Sequence, residues 1–405
     1  MSSRSAALPL LLVAACGHSA SPAVPDAPAG ACDVPALAIT HGAGTPAIPH
    51  VHKLPLARYP LAVCNDGTPA LYALRPGYGP AARRWVIYLE GGGSCSAGAE
   101  CAQRRLDTPG LMSSAKFTDG AAVTTDLNGF KSAAATENPD LYDATFVQIH
   151  YCSSDQWSGD TAAVAGAPVT DMTHWHFRGR AIVAAAIDDL LGQGLASATD
   201  VLLIGSSAGA LGVANHVDDL RARLPAEVRL LGALDAGYGL LYPPYDPATG
   251  RESTISPSQL ELAYTGGATA WGGRGDADCA ATATDDLARA RCRIPDATFP
   301  AGQVTTRLFI RQSQADDVQI NQHGAGPGTP GPVQAYRDRF GAQMRARLAG
   351  LSERFAVFST DDSQHGVIGE TAAWTGLAVD GVVLHDALGA WYRDPCAGGA
   401  KRIAP

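Results

Sequence analysis

The chain has 405 residues, 46% hydrophobic and 17% charged, with a formal net charge of −9. That balance describes an ordered globular protein with a large core and excludes a disordered chain. The negative charge, with no basic patch interleaved with aromatics, offers nothing to nucleic acid.

In chain order, the first element is a targeting segment. Arg4 precedes an apolar stretch, Leu8–Ala15, that is too short to span a bilayer. Val13-Ala14-Ala15 then leads into Cys16, the form of a bacterial lipoprotein signal. Residues 1–16 are therefore expected to be a signal with Cys16 as the lipidation site, and an ordinary secretory signal is the alternative. Residues 17–31, rich in Ala and Pro, read as a flexible tether. Residues 32–405 read as a single domain, and no later window reads as a membrane span. The location expected is extracytoplasmic and lipid-anchored, with plain secretion as the alternative.

Nine cysteines less Cys16 leave an even number, which suits an oxidising compartment. No Cys/His spacing fits zinc. Eight cysteines allow roughly a hundred connectivities, and sequence does not choose among them. Pairing neighbours gives Cys95–Cys101 and Cys279–Cys292, with Cys64–Cys152 and Cys32–Cys396 to complete the set.

Residues 58–80 suggest short strands around the turn signal Asn65-Asp66-Gly67. Apolar strands follow at Trp85–Leu89, Ala144–His150, Val201–Ile204, Leu230–Leu234, Arg307–Arg311 and Phe355–Ser359. Helical patterns cover Phe177–Leu191, Ala208–Leu220 and Tyr336–Leu348. A closing helix is read over Leu377–Tyr392, interrupted at Asp380-Gly381. Strands and helices alternate, so the class is α/β, with a mostly parallel sheet and helices on both faces. Residues 240–300 are less regular and are expected to form a cap or insertion near the active edge.

The strand Val201–Ile204 ends in Gly205-Ser206-Ser207-Ala208-Gly209 and a helix follows. That is the layout of a nucleophile elbow with Ser207 at its apex. A serine nucleophile needs a base, and the base needs an orienting acid, in the order Ser, Asp or Glu, His on this kind of sheet. Asp316-Asp317 follow one core strand and His365 follows another. His323, in a Gly/Pro-rich loop, and His385, in a helix where a solvent-facing role is expected, are rival bases. Gly91-Gly92-Gly93, directly after a strand, can offer backbone N–H groups to an oxyanion, with the N–H of Ala208 as a second source.

Several of these segments together resemble the pectin acetylesterase/Notum family of carboxylesterases. They are Leu89-Glu90-Gly91-Gly92-Gly93 with Cys95 and Cys101, Tyr151-Cys152-Ser153-Ser154-Asp155 with Trp157-Ser158-Gly159, and Gly205–Gly209. Asp235-Ala236-Gly237, Asp316 with Gln319, and His365 complete the match. The resemblance runs from about Val63 to His365. It implies an α/β-hydrolase-like fold and a Ser207–His365–Asp316 triad, with Asp317 as the adjacent rival for the acid. Gly92, Gly93 and Ala208 would form the oxyanion hole, and no metal or cofactor is implied. The family pattern has a tryptophan where this chain has Gly93-Ser94, and a cysteine where it has Asp362.

The function expected is hydrolysis of short O-acyl esters, acetyl first, on a carbohydrate. Trp157 would stack on a sugar ring and Asp155 would contact the substrate. A Notum-like lipid-ester or protein deacylase, and a non-catalytic ligand-binding lipoprotein, are the alternatives. No obligate protein partner is expected, and membrane contact only through the anchor.

Overall fold

Strands that read as unbroken apolar runs must be covered on both faces, and that requirement sets the architecture. The computed structural model describes residues 34–256, 259, 261, 269–397 and 401–405. The signal segment, Cys16, the tether and Cys32 lie outside them. Among the described residues, nine strands form one sheet: β1 (His50–Lys53), β2 (Leu71–Arg75), β3 (Arg84–Leu89), β4 (Thr145–Ile149), β5 (Asp200–Ser206), β6 (Arg229–Asp235), β7 (Leu308–Ser313), β8 (Phe355–Thr360) and β9 (Lys401–Ile403). Their spatial order is β1-β2-β4-β3-β5-β6-β7-β8-β9. β1 and β2 enter antiparallel, and every pairing from β4 to β9 is parallel.

Successive side chains on a strand point to opposite faces, so each run feeds two cores. Trp85, Ile87, Leu203, Ile310 and Val357 face one core. Helix α1 (Gly98–Asp107) follows β3, and the core side chains of the sheet meet Ile182, Ile187 and Leu190 of α2 (Gly179–Gly192), and Val213 and Val217 of α3 (Ala208–Arg223). Val86, Tyr88, Leu202, Phe309 and Phe358 face the other. A C-terminal helix, Leu384–Arg393, covers them with Leu384, Leu388 and Trp391. Among the described residues, no helix is long and apolar enough to cross a membrane.

The stretch read as one interrupted helix, Leu377–Tyr392, is different. Ala378–Val379 and Val382–Val383 pair as a two-stranded hairpin before the helix begins at Leu384. Asp380 (φ 52) and Gly381 (φ 75) make its turn, and two successive positive-φ residues are what a tight hairpin of this hand requires. The apolar spacing on either side imitated a helix.

The described residues between 240 and 300 hold a ribbon, Tyr245–Asp246 with Arg251–Glu252, and short helices at Ala277–Thr282, Asp286–Arg291 and Pro295–Thr298. Disulfides join the neighbour pairs Cys95–Cys101 and Cys279–Cys292 and also Cys64–Cys152, each as expected. Cys396 is also disulfide-bonded.

Parallel strands end on one edge, so the loops after β3, β5, β6, β7 and β8 converge there. The elbow between β5 and α3 needs close backbone contact. A Cβ on Gly209 would stand 1.9 Å from the Leu89 carbonyl oxygen, a backbone atom that cannot turn aside. Gly209→Ala must push α3 off β3. The expected loss is about 3 kcal/mol of stability by denaturant titration; an unchanged midpoint would show that the elbow has slack.

Candidate active site

Ser207 sits between the last residue of β5 and the first of α3 with φ 57 and ψ −121. A non-glycine residue in that region is strained by about 1–3 kcal/mol and persists only where its surroundings hold it. The strain lifts the hydroxyl out of the strand line, at the positive end of the α3 dipole. The Ser207 N–H donates to the Asp235 carbonyl (2.8 Å), which ties the turn to β6.

His365 lies in the loop after β8. Its Nε2 is 2.8 Å from Ser207 Oγ, and its Nδ1 is 2.9 Å from Asp316 Oδ2. A carboxylate only accepts, so Nδ1 carries the ring proton and the Nε2 lone pair faces the serine hydroxyl. Asp316 is fully buried while His365 is 26% exposed. Asp316 is fixed as the N-cap of the short helix Asp317–Gln322. It accepts the N–H groups of Val318 (3.0 Å) and Gln319 (3.1 Å), and Gln312 Nε2 donates to it (3.1 Å).

Asp317 points elsewhere. Its side chain is 56% exposed and pairs with Arg337 (2.5 Å) and Ser363 Oγ (2.8 Å). Burial works against its charge, but these two partners outweigh it and hold its carboxyl below the usual carboxylate range. His323 is buried with Nδ1 2.9 Å from the Tyr336 hydroxyl, and burial pushes its pKa down to about 4. His385 is half-buried beside Asp386 and Trp374, away from the solvent-facing position expected of it.

The loop after β3 runs against the elbow. A Cβ on Gly91 would lie 2.5 Å from the Ser206 carbonyl oxygen and 3.2 Å from Ser207 Cβ. Gly92 (φ 142) and Gly93 (φ 70) then take backbone angles that side chains resist. Arg104 Nη2 donates to the Gly92 carbonyl (2.6 Å), and the Tyr151 hydroxyl donates to the Gly93 carbonyl (2.8 Å). In a trans peptide the N–H points opposite the C=O. With the Gly92 carbonyl turned to Arg104, the Gly93 N–H faces the other way. Among the described residues, no hydrogen bond takes up the N–H of Gly92, Gly93 or Ala208.

Trp157 and Asp155 do not reach a substrate, contrary to expectation. Both are 0% exposed. Trp157 packs against Tyr151 and donates Nε1–H to the Glu90 carbonyl (3.0 Å). Asp155 accepts from Ser153 Oγ (2.7 Å), the Trp157 N–H (3.0 Å) and the Gly179 N–H (2.7 Å). These bonds hold a turn in which Ser154, Gln156 and Trp157 all have positive φ. Burial pushes Asp155 up to about 6 despite them. The pair braces the wall behind the Gly91–Gly93 loop.

Sequence reasoning missed the pair beneath the base. Arg311 of β7 is fully buried and Asp235 of β6 is 1% exposed, 3.4 Å apart. Arg311 Nη1 also donates to the carbonyls of Gln364 (3.1 Å) and His365 (3.3 Å). Asp235 Oδ2 accepts from Ser206 Oγ (2.8 Å) and from the N–H groups of Val367 (2.8 Å) and Ile368 (3.2 Å). One buried ion pair thus grips the His365 loop on both sides, and the residue before Ser207. A charged residue inside the apolar run Leu308–Ile310-Arg311 was the available signal.

Arg311→Met leaves Asp235 buried without its cation, so the expected loss is about 3–5 kcal/mol by chemical denaturation. Arg311→Met with Asp235→Asn should recover part of that loss, since the amide oxygen still accepts. Equal stability of wild type and Arg311→Met would contradict this account of the loop.

Residues 50–397 match the family model described as pectinacetylesterase. The chain is 30% identical over 352 residues to the palmitoleoyl-protein carboxylesterase NOTUM of Drosophila melanogaster, covering 84% of this chain and 49% of that protein. It is 32% identical to notum1a of Danio rerio, covering 82% of this chain and 63% of the relative. It is 30% identical to pectin acetylesterase 11 of Arabidopsis thaliana, covering 82% and 84%. The solved structure of the Wnt deacylase Notum from Drosophila superposes with a TM-score of 0.73 at 27% identity, covering 88% of this chain and 96% of that one. The chain spans between about half and just under two thirds of the length of these two Notum relatives.

Proposed function

The chain belongs to the pectinacetylesterase family, and from that premise we propose that it is an extracytoplasmic serine carboxylesterase that removes short acyl groups, acetyl first, from a carbohydrate. The observation that carries the reading is the relay Ser207 Oγ–His365 Nε2 (2.8 Å) and His365 Nδ1–Asp316 (2.9 Å) on a strained elbow. Ser207 Oγ attacks the ester carbonyl as His365 Nε2 takes its proton. Asp316 keeps the ring in the required tautomer and stabilises the imidazolium. The free N–H groups of Gly92, Gly93 and Ala208 meet the oxyanion, each worth about 3 kcal/mol where such a donor is preorganised. His365 then returns the proton to the leaving alcohol, and water repeats the sequence on the acyl-serine. The disulfides support an oxidising compartment. The carbohydrate rests on the resemblance to the plant pectin acetylesterase, because Trp157 is not available to stack on a sugar.

The triad roles have a direct test in the turnover of an aryl acetate. Ser207→Ala should remove turnover with its thermal midpoint near that of wild type. His365→Ala should be equally inactive, because such groups act as a unit. Asp316→Asn should lose about 10⁴-fold in kcat, the cost of a wrong tautomer. Asp317→Asn should stay near wild type; the reverse order for the two aspartates would move the acid.

A second reading, long-chain deacylation, is favoured by the names of the Notum relatives and by the superposition. Acyl length separates the two. Each methylene buried in an apolar tunnel contributes about 0.8 kcal/mol. Gly93 brings no side chain to such a tunnel, and a Cβ there would meet only Arg104 within 4 Å. We expect kcat/KM on aryl esters to fall from acetyl to octanoyl. A rise towards octanoyl would replace the acetylesterase reading with the lipid-ester one.

A further inference from the structure

Glu90 stands one residue before the Gly91–Gly93 loop, at the end of β3. Its Oε2 lies 2.8 Å from His150 Nδ1 and accepts the Tyr151 N–H (2.9 Å), while Gln148 Nε2 donates to Oε1 (3.0 Å). His150 is 7% exposed, and its other nitrogen, Nε2, lies 2.8 Å from the Gly110 carbonyl oxygen. Both ring nitrogens therefore face groups that only accept. A neutral imidazole has one N–H and satisfies one of them; the other contact would set two lone pairs 2.8 Å apart. With Glu90 ionised, both contacts are hydrogen bonds only when His150 is an imidazolium. Burial works against charge on Glu90, but His150 and the Tyr151 N–H outweigh it and hold its carboxyl below the ordinary range.

The two segments that His150 joins close on the same residue. Glu90 leads into Gly92 along the chain. Gly110 belongs to the turn Pro109–Leu111, and Leu111 packs so tightly on Gly92 that a Cβ there would lie 2.9 Å from a Leu111 methyl. A cleft of about 670 Å³ opens beside the pair. Its other charged groups are Arg105, Lys116 and Asp126. Arg105 pairs with Asp66 and Asp126 with Lys131. The edge of Phe117 meets the His150 ring.

We infer that Glu90 and a protonated His150 are positioning residues that clamp the Gly91–Gly93 loop, so that the proton on His150 sets how well that loop meets the oxyanion. The inference rests on the esterase reading, because it assigns the loop its part in the transition state. Neither residue touches the reacting atoms. A misplaced donor affects the transition state more than substrate binding, so the effect belongs in kcat.

The test is aryl acetate hydrolysis at neutral pH by the full chain, for wild type, Glu90→Gln, His150→Gln and Ser207→Ala. His150→Gln should lose about 10²-fold in kcat, the scale of a misplacement near 1 Å. Its KM should stay near wild type. Glu90→Gln should lose kcat in the same way with KM near wild type, since the loop has lost the same clamp. Unchanged kcat in His150→Gln, or a loss that falls on KM instead, would overturn the inference. Ser207→Ala separates the two claims: turnover there defeats the esterase reading, whereas an inactive Ser207→Ala beside a fully active His150→Gln defeats the clamp alone. Should the variants fail to fold, ¹⁵N resonances of the wild-type His150 ring at neutral pH decide the matter. Two protonated nitrogens support the clamp, and one contradicts it.

Discussion

The arrangement at the active edge depends on a charge pair kept out of water. Arg311 and Asp235 have 0% and 1% of their side chains exposed. Burying two such ions costs several kcal/mol each, and removing either partner leaves the other stranded. The pair is offset only because nearly every remaining polar position has a use. Arg311 takes the carbonyls of Gln364 and His365, and Asp235 takes Ser206 Oγ and the N–H groups of Val367 and Ile368. The proposed nucleophile and base are 158 residues apart in sequence. Adjacent strands β6 and β7 bring their anchors together, and the pair converts sheet register into a fixed Ser207–His365 distance.

A second constraint acts at the elbow. Ser207 holds an unfavourable backbone angle, and the sheet supplies what keeps it there. Gly209 lets α3 touch the end of β3, and the Ser207 N–H is held by β6. The Gly91–Gly93 loop is fixed by the carbonyls of Gly92 and Gly93, which Arg104 and Tyr151 hold, and by Trp157 on the Glu90 carbonyl just before it. Trp271 and Arg293 join the same wall. Trp271 Nε1 donates to the Cys95 carbonyl (2.8 Å), and Arg293 donates to Gln156 (3.0 Å). Buried Arg293, which burial pulls down to about 10, also lies over the Trp271 ring. The positive-φ residues Ser154, Gln156, Trp157 and Ser207 thus gather at the reacting edge.

What was legible in the sequence is what local chemistry specifies. Apolar runs gave the core strands because a doubly covered strand has no polar face. The Gly-x-Ser-x-Gly turn gave the elbow because only glycine permits that contact. Asp316 and His365 were found as polar residues just past the ends of core strands, where side chains reach the open edge. What was not legible depends on partners distant in sequence. Trp157 and Asp155, among Ser and Gly, looked exposed; the N–H of Gly179 and the carbonyl of Glu90 bury them. Arg311 read as a strand end because its anion is on another strand. Glu90 read as a residue beside a glycine loop, and its link to His150 appears only when β3 pairs with β4. The Asp380-Gly381 hairpin was missed because apolar residues on either side of a tight turn repeat at helix-like spacing.

The central claim is that Ser207 is a nucleophile activated by its neighbours and not a serine capping a helix. An alkyl fluorophosphonate reads this without any assumption about acyl group or alcohol, since it phosphonylates only activated serines. Peptide mass spectrometry after brief exposure of the folded protein should find one adduct, on Ser207, and heat-unfolded protein should carry none. An unmodified Ser207, or equal labelling of other serines, would contradict the account.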